Sequence, residues 1–167
     1  LDPADRDRRI VLHFEGMGTF CEIYVNSMLL ATHRTNGIGF DVDITDVVRF
    51  GYEQNVVAVH CDCHDYEAWY YEGGGITRNV YLVKTDRMAV DLWGTFVYSA
   101  RLGQNQWRLT IQTELYNAYP TRRRAAVISR IVDSQGREAA CVCSPETGVP
   151  VRGVGRVTQH AVLENPQ

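Results

Sequence analysis

The chain has 167 residues, 45% of them hydrophobic and 22% charged, and a formal net charge of −3. That length suits one or two globular domains. The small net charge and the lack of a long basic block exclude a nucleic-acid partner and an electrostatic membrane partner, and no apolar run approaches the roughly 18 residues of a membrane span.

The first seven residues are polar, begin without methionine and read as mid-protein sequence with no signal peptide. Beyond them nearly every segment alternates with the period of two of a half-buried strand. Ile10, Leu12 and Phe14 form one face. Phe20, Glu22, Tyr24 and Asn26 alternate with Cys21, Ile23 and Val25, and Asn26-Ser27 predicts a hairpin turn into a returning strand over 28–32. A loop over 34–39 precedes a strand over 40–44, and Thr45-Asp46 is expected to cap one short helical turn through Arg49. After a turn at 51–54, the mostly apolar run 55–61 predicts a strand buried on both faces. Residues 62–72 form a long polar and aromatic loop. It ends in Gly73, Gly74 and Gly75, which let the backbone turn sharply or pass close to another surface. Ile76, Val80 and Leu82 then share one strand face.

A boundary is expected near 84–87. Past it, 89–100 is apolar and aromatic, and 103–106 is a turn. Trp107, Leu109, Ile111, Thr113 and Leu115 alternate strictly. Arg122, Arg123 and Arg124 read as a solvated hairpin end, followed by strands over 126–132 and 137–143, a loop over 145–150 and a last strand over 152–163. Trp93 and Trp107 are the expected core anchors of this half. With no convincing amphipathic helix, the prediction is an all-β chain of two β-sandwiches, at 1–85 and 86–167.

The five cysteines are Cys21, Cys61, Cys63, Cys141 and Cys143. An odd count without dense spacing argues against a disulfide scaffold. Two Cys-x-Cys pairs with His60 and His64 raise the idea of a metal site. The preferred reading is buried, reduced cysteines acting as small hydrophobes, because zinc ligands are usually spaced by two to four residues at a turn. Reduced thiols favour the cytoplasm, with a secreted or periplasmic protein as the alternative. No metal and no cofactor is assigned.

The run Tyr70-Tyr71-Glu72-Gly73-Gly74-Gly75-Ile76-Thr77-Arg78-Asn79-Val80-Tyr81-Leu82 resembles the end of the sugar-binding domain of family 2 glycoside hydrolases, the β-galactosidase and β-glucuronidase group. Leu12-His13-Phe14-Glu15-Gly16 and Tyr24-Val25-Asn26 resemble the same domain's Phe-Glu-Gly and Tyr-Val-Asn-Gly strands. Segments 33–40, 43–45 and 55–59 follow in the family's order, so the resemblance covers about 8–85. It implies a galactose-binding-like jelly roll, truncated at its start, followed by an immunoglobulin-like sandwich. Residues 162–167 resemble the lead into the family's TIM-barrel catalytic domain. The chain is thus expected to be a fragment of a β-galactosidase-like enzyme that hydrolyses β-glycosidic bonds in carbohydrate metabolism. Its partners would be the barrel of the same polypeptide, carbohydrate and further copies of the chain.

Retaining glycosidases use two carboxyl groups about 5 to 5.5 Å apart, and the acid of the pair needs a raised pKa. Asp62, Asp65, Glu67 and Glu72 cluster around the aromatic loop, but a polar surface loop gives little burial to raise one. In the family the pair comes from the barrel, so no catalytic residue is assigned here. The loop's chemistry suits binding, since aromatic faces stack on pyranose rings and carboxylates accept hydroxyl bonds. The candidate substrate-binding residues are Asp65, Glu67, Trp69, Tyr70 and Tyr71, with Glu72, Gly73, Gly74, Gly75 and Arg78 as a barrel-facing loop. Trp69 stands where some family members place a polar residue, which leaves stacking on sugar or burial against the barrel. Thr35-Asn36-Gly37 replaces the family's Gly-Gly-Tyr, and His33 reads as a loop hydrogen-bonding residue. Two other readings stay open: an autonomous carbohydrate-binding module, and a structural or adhesive β-sandwich pair.

Overall fold

The structure, a computed structural model, describes residues 1–34, 37–64 and 74–164. The chain separates into two compact units, Leu1–Asp86 and Arg87–Gln167. Every strand pairing among the described residues is antiparallel. The only helix among them is a 3₁₀ turn, Pro3–Asp5, and none is long and apolar enough to cross a membrane.

The first unit holds β1 (Arg8–Phe14), β2 (Met17–Gly18), β3 (Phe20–Val25), β4 (Met28–His33), β5 (Phe40–Asp43), β6 (Val57–Asp62), β7 (Gly75–Ile76) and β8 (Val80–Asp86). One sheet runs β5-β1-β8, a second runs β4-β3-β6, and β2 pairs with β7. Ile10, Leu12 and Phe14 of β1 and Cys21, Ile23 and Val25 of β3 share inner faces, and the two sheets bury those faces together. Ile10, Leu12, Phe14, Met17, Cys21, Ile23, Val25, Val42 and Ile44 form one buried cluster. Phe14 stacks on Phe40 with ring centroids 5.0 Å apart. Each fully buried large apolar side chain here contributes about 1.5–3 kcal/mol of transfer free energy.

The β3–β4 hairpin turns at Asn26 and Ser27, with φ of 50° and 69°. Positive φ at both positions is the geometry whose twist matches the flanking strands, and asparagine tolerates it. Asn26 also ties the unit together. Its Nδ2 donates to Val47 O (2.8 Å) and Asn55 Oδ1 (2.9 Å), and its Oδ1 accepts from Val56 N (3.0 Å). The N-terminal residues, featureless in sequence, are anchored too. Asp2 accepts from Ala4 N, and the Asp5 carboxylate receives Lys84 Nζ at 2.6 Å.

Two expectations for this unit are overturned. The helical turn capped by Thr45-Asp46 does not form. Thr45 Oγ1 accepts from Ile10 N (2.9 Å) and donates to Asp43 Oδ1 (2.6 Å), leaving only an isolated turn closed by Val47 N to Ile44 O. The strand expected over 55–61 to be buried on both faces is the edge strand β6. Val57, Ala58 and His60 are exposed, and Val59 and Cys61 only half-buried. An edge strand lacks a neighbour on one side, so apolar composition alone does not bury it.

The second unit holds β9 (Met88–Arg101), β10 (Gln106–Asn117), β11 (Arg123–Ala125), β12 (Ile128–Val132), β13 (Glu138–Cys143), β14 (Thr147–Val149) and β15 (Gly153–Glu164). Its long sheet runs β15-β10-β9, with two-stranded sheets β11-β14 and β12-β13. β10 and β15 pair from Gln106↔Glu164 to Asn117↔Gly153 without a slip. The buried apolar cluster is small: Leu115, Val127, Val149 and Val157. Two buried amides complete it. Asn117 Nδ2 donates to Thr121 O (2.9 Å) and Pro150 O (3.0 Å), and its Oδ1 accepts from Tyr119 N. Gln159 Nε2 donates to Val127 O and Val142 O, and its Oε1 accepts from Ser129 Oγ at 2.7 Å.

Four expectations fail here. Trp93 is 79% exposed instead of anchoring the core. It sits at φ 59° in a bulge where residues 91–94 lie opposite Glu114 alone, so strand alternation no longer decides its face. Gly94 makes that bulge fit: a Cβ there would lie 2.7 Å from Asp91 O and 2.9 Å from Glu114 O. Cys141 and Cys143 are exposed, because Ala140 and Val142 take the inner face of β13. The loop expected over 145–150 contains β14, which pairs with Arg123–Ala125. So the arginine run is partly a strand: Arg124 pairs with Glu146 (3.2 Å), and Arg123 lies over Tyr119.

Candidate functional site

Residues 60–78 carry most of the candidates, and β6 and β7 fix the two ends of that stretch. Asp65, Glu67, Trp69, Tyr70, Tyr71, Glu72 and Gly73 lie outside the described residues. Gly74, Gly75 and Arg78 lie within them. β7 is held against β2 by Met17↔Ile76 and Gly18↔Gly75, and Thr77 N donates to Gly16 O at 3.2 Å. Glu15 N donates to Asn79 O at 3.0 Å.

The glycines play different parts. Gly74 has no room for a side chain: a Cβ would collide with Cys63 Sγ and stand 3.2 Å from Gly18 O. Gly75 has open space but φ of 128°, which side-chain-bearing residues rarely adopt. Gly16 lies beneath Arg78, whose Cδ would be 3.1 Å from an added Cβ. The Arg78 stem thus lies along backbone, and it has no ion pair among the described residues.

At the other end, His60, Cys61, Asp62, Cys63 and His64 line an open depression of about 650 Å³. His60 Nδ1 meets Glu22 Oε2 at 3.1 Å, and Tyr24 Oη donates to the same oxygen, also at 3.1 Å. That bond to Glu22, with burial second, raises the Tyr24 pKa. Asp62 Oδ1 accepts from His64 N at 2.9 Å. Behind them Cys21 stands opposite Cys61, with the sulfurs 3.1 Å apart. Burial, then the neighbouring Cys61, pushes the Cys21 thiol up to about 12. Among the described residues no three His, Cys, Asp or Glu side chains are grouped to hold a metal ion.

His33 closes β4 and stacks on Phe40, with centroids 3.8 Å apart. Burial depresses its pKa and a backbone bond at Ile38 partly offsets that, so the loop hydrogen-bonding role expected for it is joined by a packing role.

The sequence reading passed over one polar constellation. His13 Nδ1 lies 2.7 Å from Asp41 Oδ1, and its ring stacks on Tyr81; Arg9 Nε meets Asp43 Oδ2 at 2.9 Å. The signal was there: Arg9 and His13 share the face of β1 opposite the core, and Asp41 and Asp43 recur at the matching period on β5. Among the described residues, the carboxyl groups that leave their ordinary range, Asp5, Asp43 and Asp133, all shift downward. For Asp5 the Lys84 bond dominates, and for Asp133 the Arg137 backbone N–H does. Burial pushes Asp43 up, but the bonds from Thr45 and Arg9 together outweigh it. These are the carboxylates of ion pairs and turns; a general acid needs the opposite shift.

No family model matches the chain. It is 26% identical to a β-glucuronidase of Formosa agariphila across its whole length, covering 19% of that protein. Over 84% of its length it is 33% identical to a β-galactosidase of Bacteroides ovatus, covering 16% of that protein. Among solved structures, a β-glucuronidase from glycoside hydrolase family 2 superposes on the entire chain with a TM-score of 0.88 at 26% identity, over 20% of that structure. A family 2 member from Bacteroides cellulosilyticus does so with a TM-score of 0.86 at 27% identity, over 23% of its length. The chain spans about a fifth of the length of the relatives it matches.

Proposed function

We propose, for a chain whose sequence and fold are those of a segment of the family 2 glycoside hydrolases, the role of a non-catalytic part of a β-galactosidase-like enzyme. In that role the two sandwiches buttress a TIM-barrel catalytic domain, and the stretch held between β6 and β7 forms one wall of its sugar pocket. Trp69, Tyr70 and Tyr71 supply the surface that meets the barrel or stacks on a pyranose ring. Asp65 and Glu67 accept hydroxyl bonds at its rim.

The observation that carries this reading is the architecture. A barrel of this type needs eight parallel strands and typically about 250 residues. All strand pairings among the described residues are antiparallel, and they are used up by the two sandwiches. The downward shifts of Asp5, Asp43 and Asp133 run opposite to what a general acid needs.

The test is hydrolysis of 4-nitrophenyl β-D-galactoside and 4-nitrophenyl β-D-glucuronide. The expected result is release of nitrophenol at the buffer rate. Turnover proportional to protein and abolished by Asp65→Asn or Glu67→Gln would overturn the non-catalytic assignment and place the chemistry in this segment.

A further inference from the structure

We propose that Cys21 and Cys61 form a redox-responsive cross-link, a thiol modification site that joins the central strand β3 to the edge strand β6 immediately ahead of the candidate sugar-facing stretch. The two residues are direct antiparallel partners in the β3–β6 register. Directly opposed residues have Cα atoms about 4.5–5.5 Å apart, inside the span of about 4.4–6.8 Å that a disulfide bridges. Their sulfurs already stand 3.1 Å apart. Closing to a bond of about 2.05 Å takes a movement of about 1 Å, within the reach of side-chain rotation and a small shift of an edge strand.

The surroundings give direction to the chemistry. Cys21 is 1% exposed and its thiol also reaches Gly18 O at 3.4 Å. Cys61 is half-buried and lines the open depression beside β6. A small oxidant therefore reaches Cys61 first. The co-reactant is a low-molecular-weight disulfide such as oxidised glutathione. The Cys61 thiolate attacks one of its sulfurs, the S–S bond breaks, and the first small thiolate leaves and takes up a proton. Cys21 then loses its proton and attacks Cys61 Sγ, expelling the second small thiolate, which is protonated in turn. Two protein thiols and one small disulfide become one protein disulfide and two small thiols. The second step is the slow one at neutral pH, because burial keeps Cys21 protonated, and it accelerates as pH rises. Cys63, two residues on, lies against Gly74. Cys141 and Cys143 belong to the second unit and have no part in the cross-link.

Incubation with millimolar oxidised glutathione at pH 8, followed by thiol counting in denaturant and tryptic mapping, tests this. The expected result is loss of two of the five thiols and a linkage between the peptides 10–34 and 50–78, reversed by dithiothreitol. Cys63→Ala keeps that linkage and Cys21→Ala abolishes it. Five intact thiols, a linkage confined to peptide 50–78 or 138–152, or loss of the linkage in Cys63→Ala would overturn the proposal. The mapping on the unsubstituted protein stands by itself if Cys21→Ala folds poorly.

Discussion

The two units reach a stable β fold by different means. The first buries a contiguous apolar cluster of nine residues, from Ile10 to Ile44, between its two sheets. The second has a contiguous apolar cluster of only four residues and buries Asn117 and Gln159 beside it, every side-chain polar atom of which is bonded. An apolar core is strong and tolerant, because volume-conserving changes cost little. A polar interior is specific and brittle, because removing one partner leaves buried groups unmet. The lesson is that equal strand content hides different sensitivities to substitution.

The largest expected effect is in the first unit. Phe14→Ala removes a buried ring stacked on Phe40 and should lower stability by about 3–5 kcal/mol, read from urea unfolding. Asn117→Leu keeps the volume but strands the carbonyls of Thr121 and Pro150 and the N–H of Tyr119. It should cost about 2–3 kcal/mol in the second unit, where the same polar-to-apolar change in an apolar core would be mild. A neutral outcome would erase the contrast between the units. Gly94→Ala forces a methyl against two carbonyl oxygens of the bulge and should cost about 1–3 kcal/mol, whereas Trp93→Ser beside it should stay within about 0.5 kcal/mol.

A smaller effect depends on pH. Burial lowers the His33 pKa below its ordinary value of about 6.5, so the unfolded chain binds the proton more readily. His33 therefore contributes stability that is fully present above about pH 6.5 and is lost as pH falls through its depressed pKa. Asp43 acts in the same direction lower down: its contribution is present above the ordinary aspartate value of about 3.9 and is lost below it. His33→Phe should flatten the stability–pH curve just below pH 6.5 and leave the acid limb intact. An unchanged slope there would remove His33 from the account.

Much of this was legible in the sequence, and the misses share a cause. Alternation located β1, β3 and β10 and placed Ile10, Leu12 and Phe14 on one face, because a buried strand face imposes a period of two on local sequence. Asn26-Ser27 marked its hairpin, because only certain residues accept positive φ. What alternation cannot carry is context beyond the strand. The apolar run in β6 looked buried, but its place at a sheet edge is decided by which strands neighbour it. Trp93 looked like an anchor until four residues faced one across the β9–β10 bulge. The facing of Cys21 and Cys61 is set by non-local register and has no sequence signature. Of the candidate site, Gly74 and Gly75 acquired physical reasons for their identities, while Asp65 to Gly73 and Arg78 rest on residue chemistry and resemblance.

The central proposal is that this chain serves sugar hydrolysis as a scaffold and does not capture sugar alone. Titration calorimetry with galactose, glucuronate and a β-linked oligosaccharide, beside a Trp69→Ala variant, tests it most directly. The account predicts no saturating heat at millimolar sugar for either protein. Heat that saturates for the parent chain and vanishes in Trp69→Ala would contradict it and make the chain a carbohydrate-binding module in its own right.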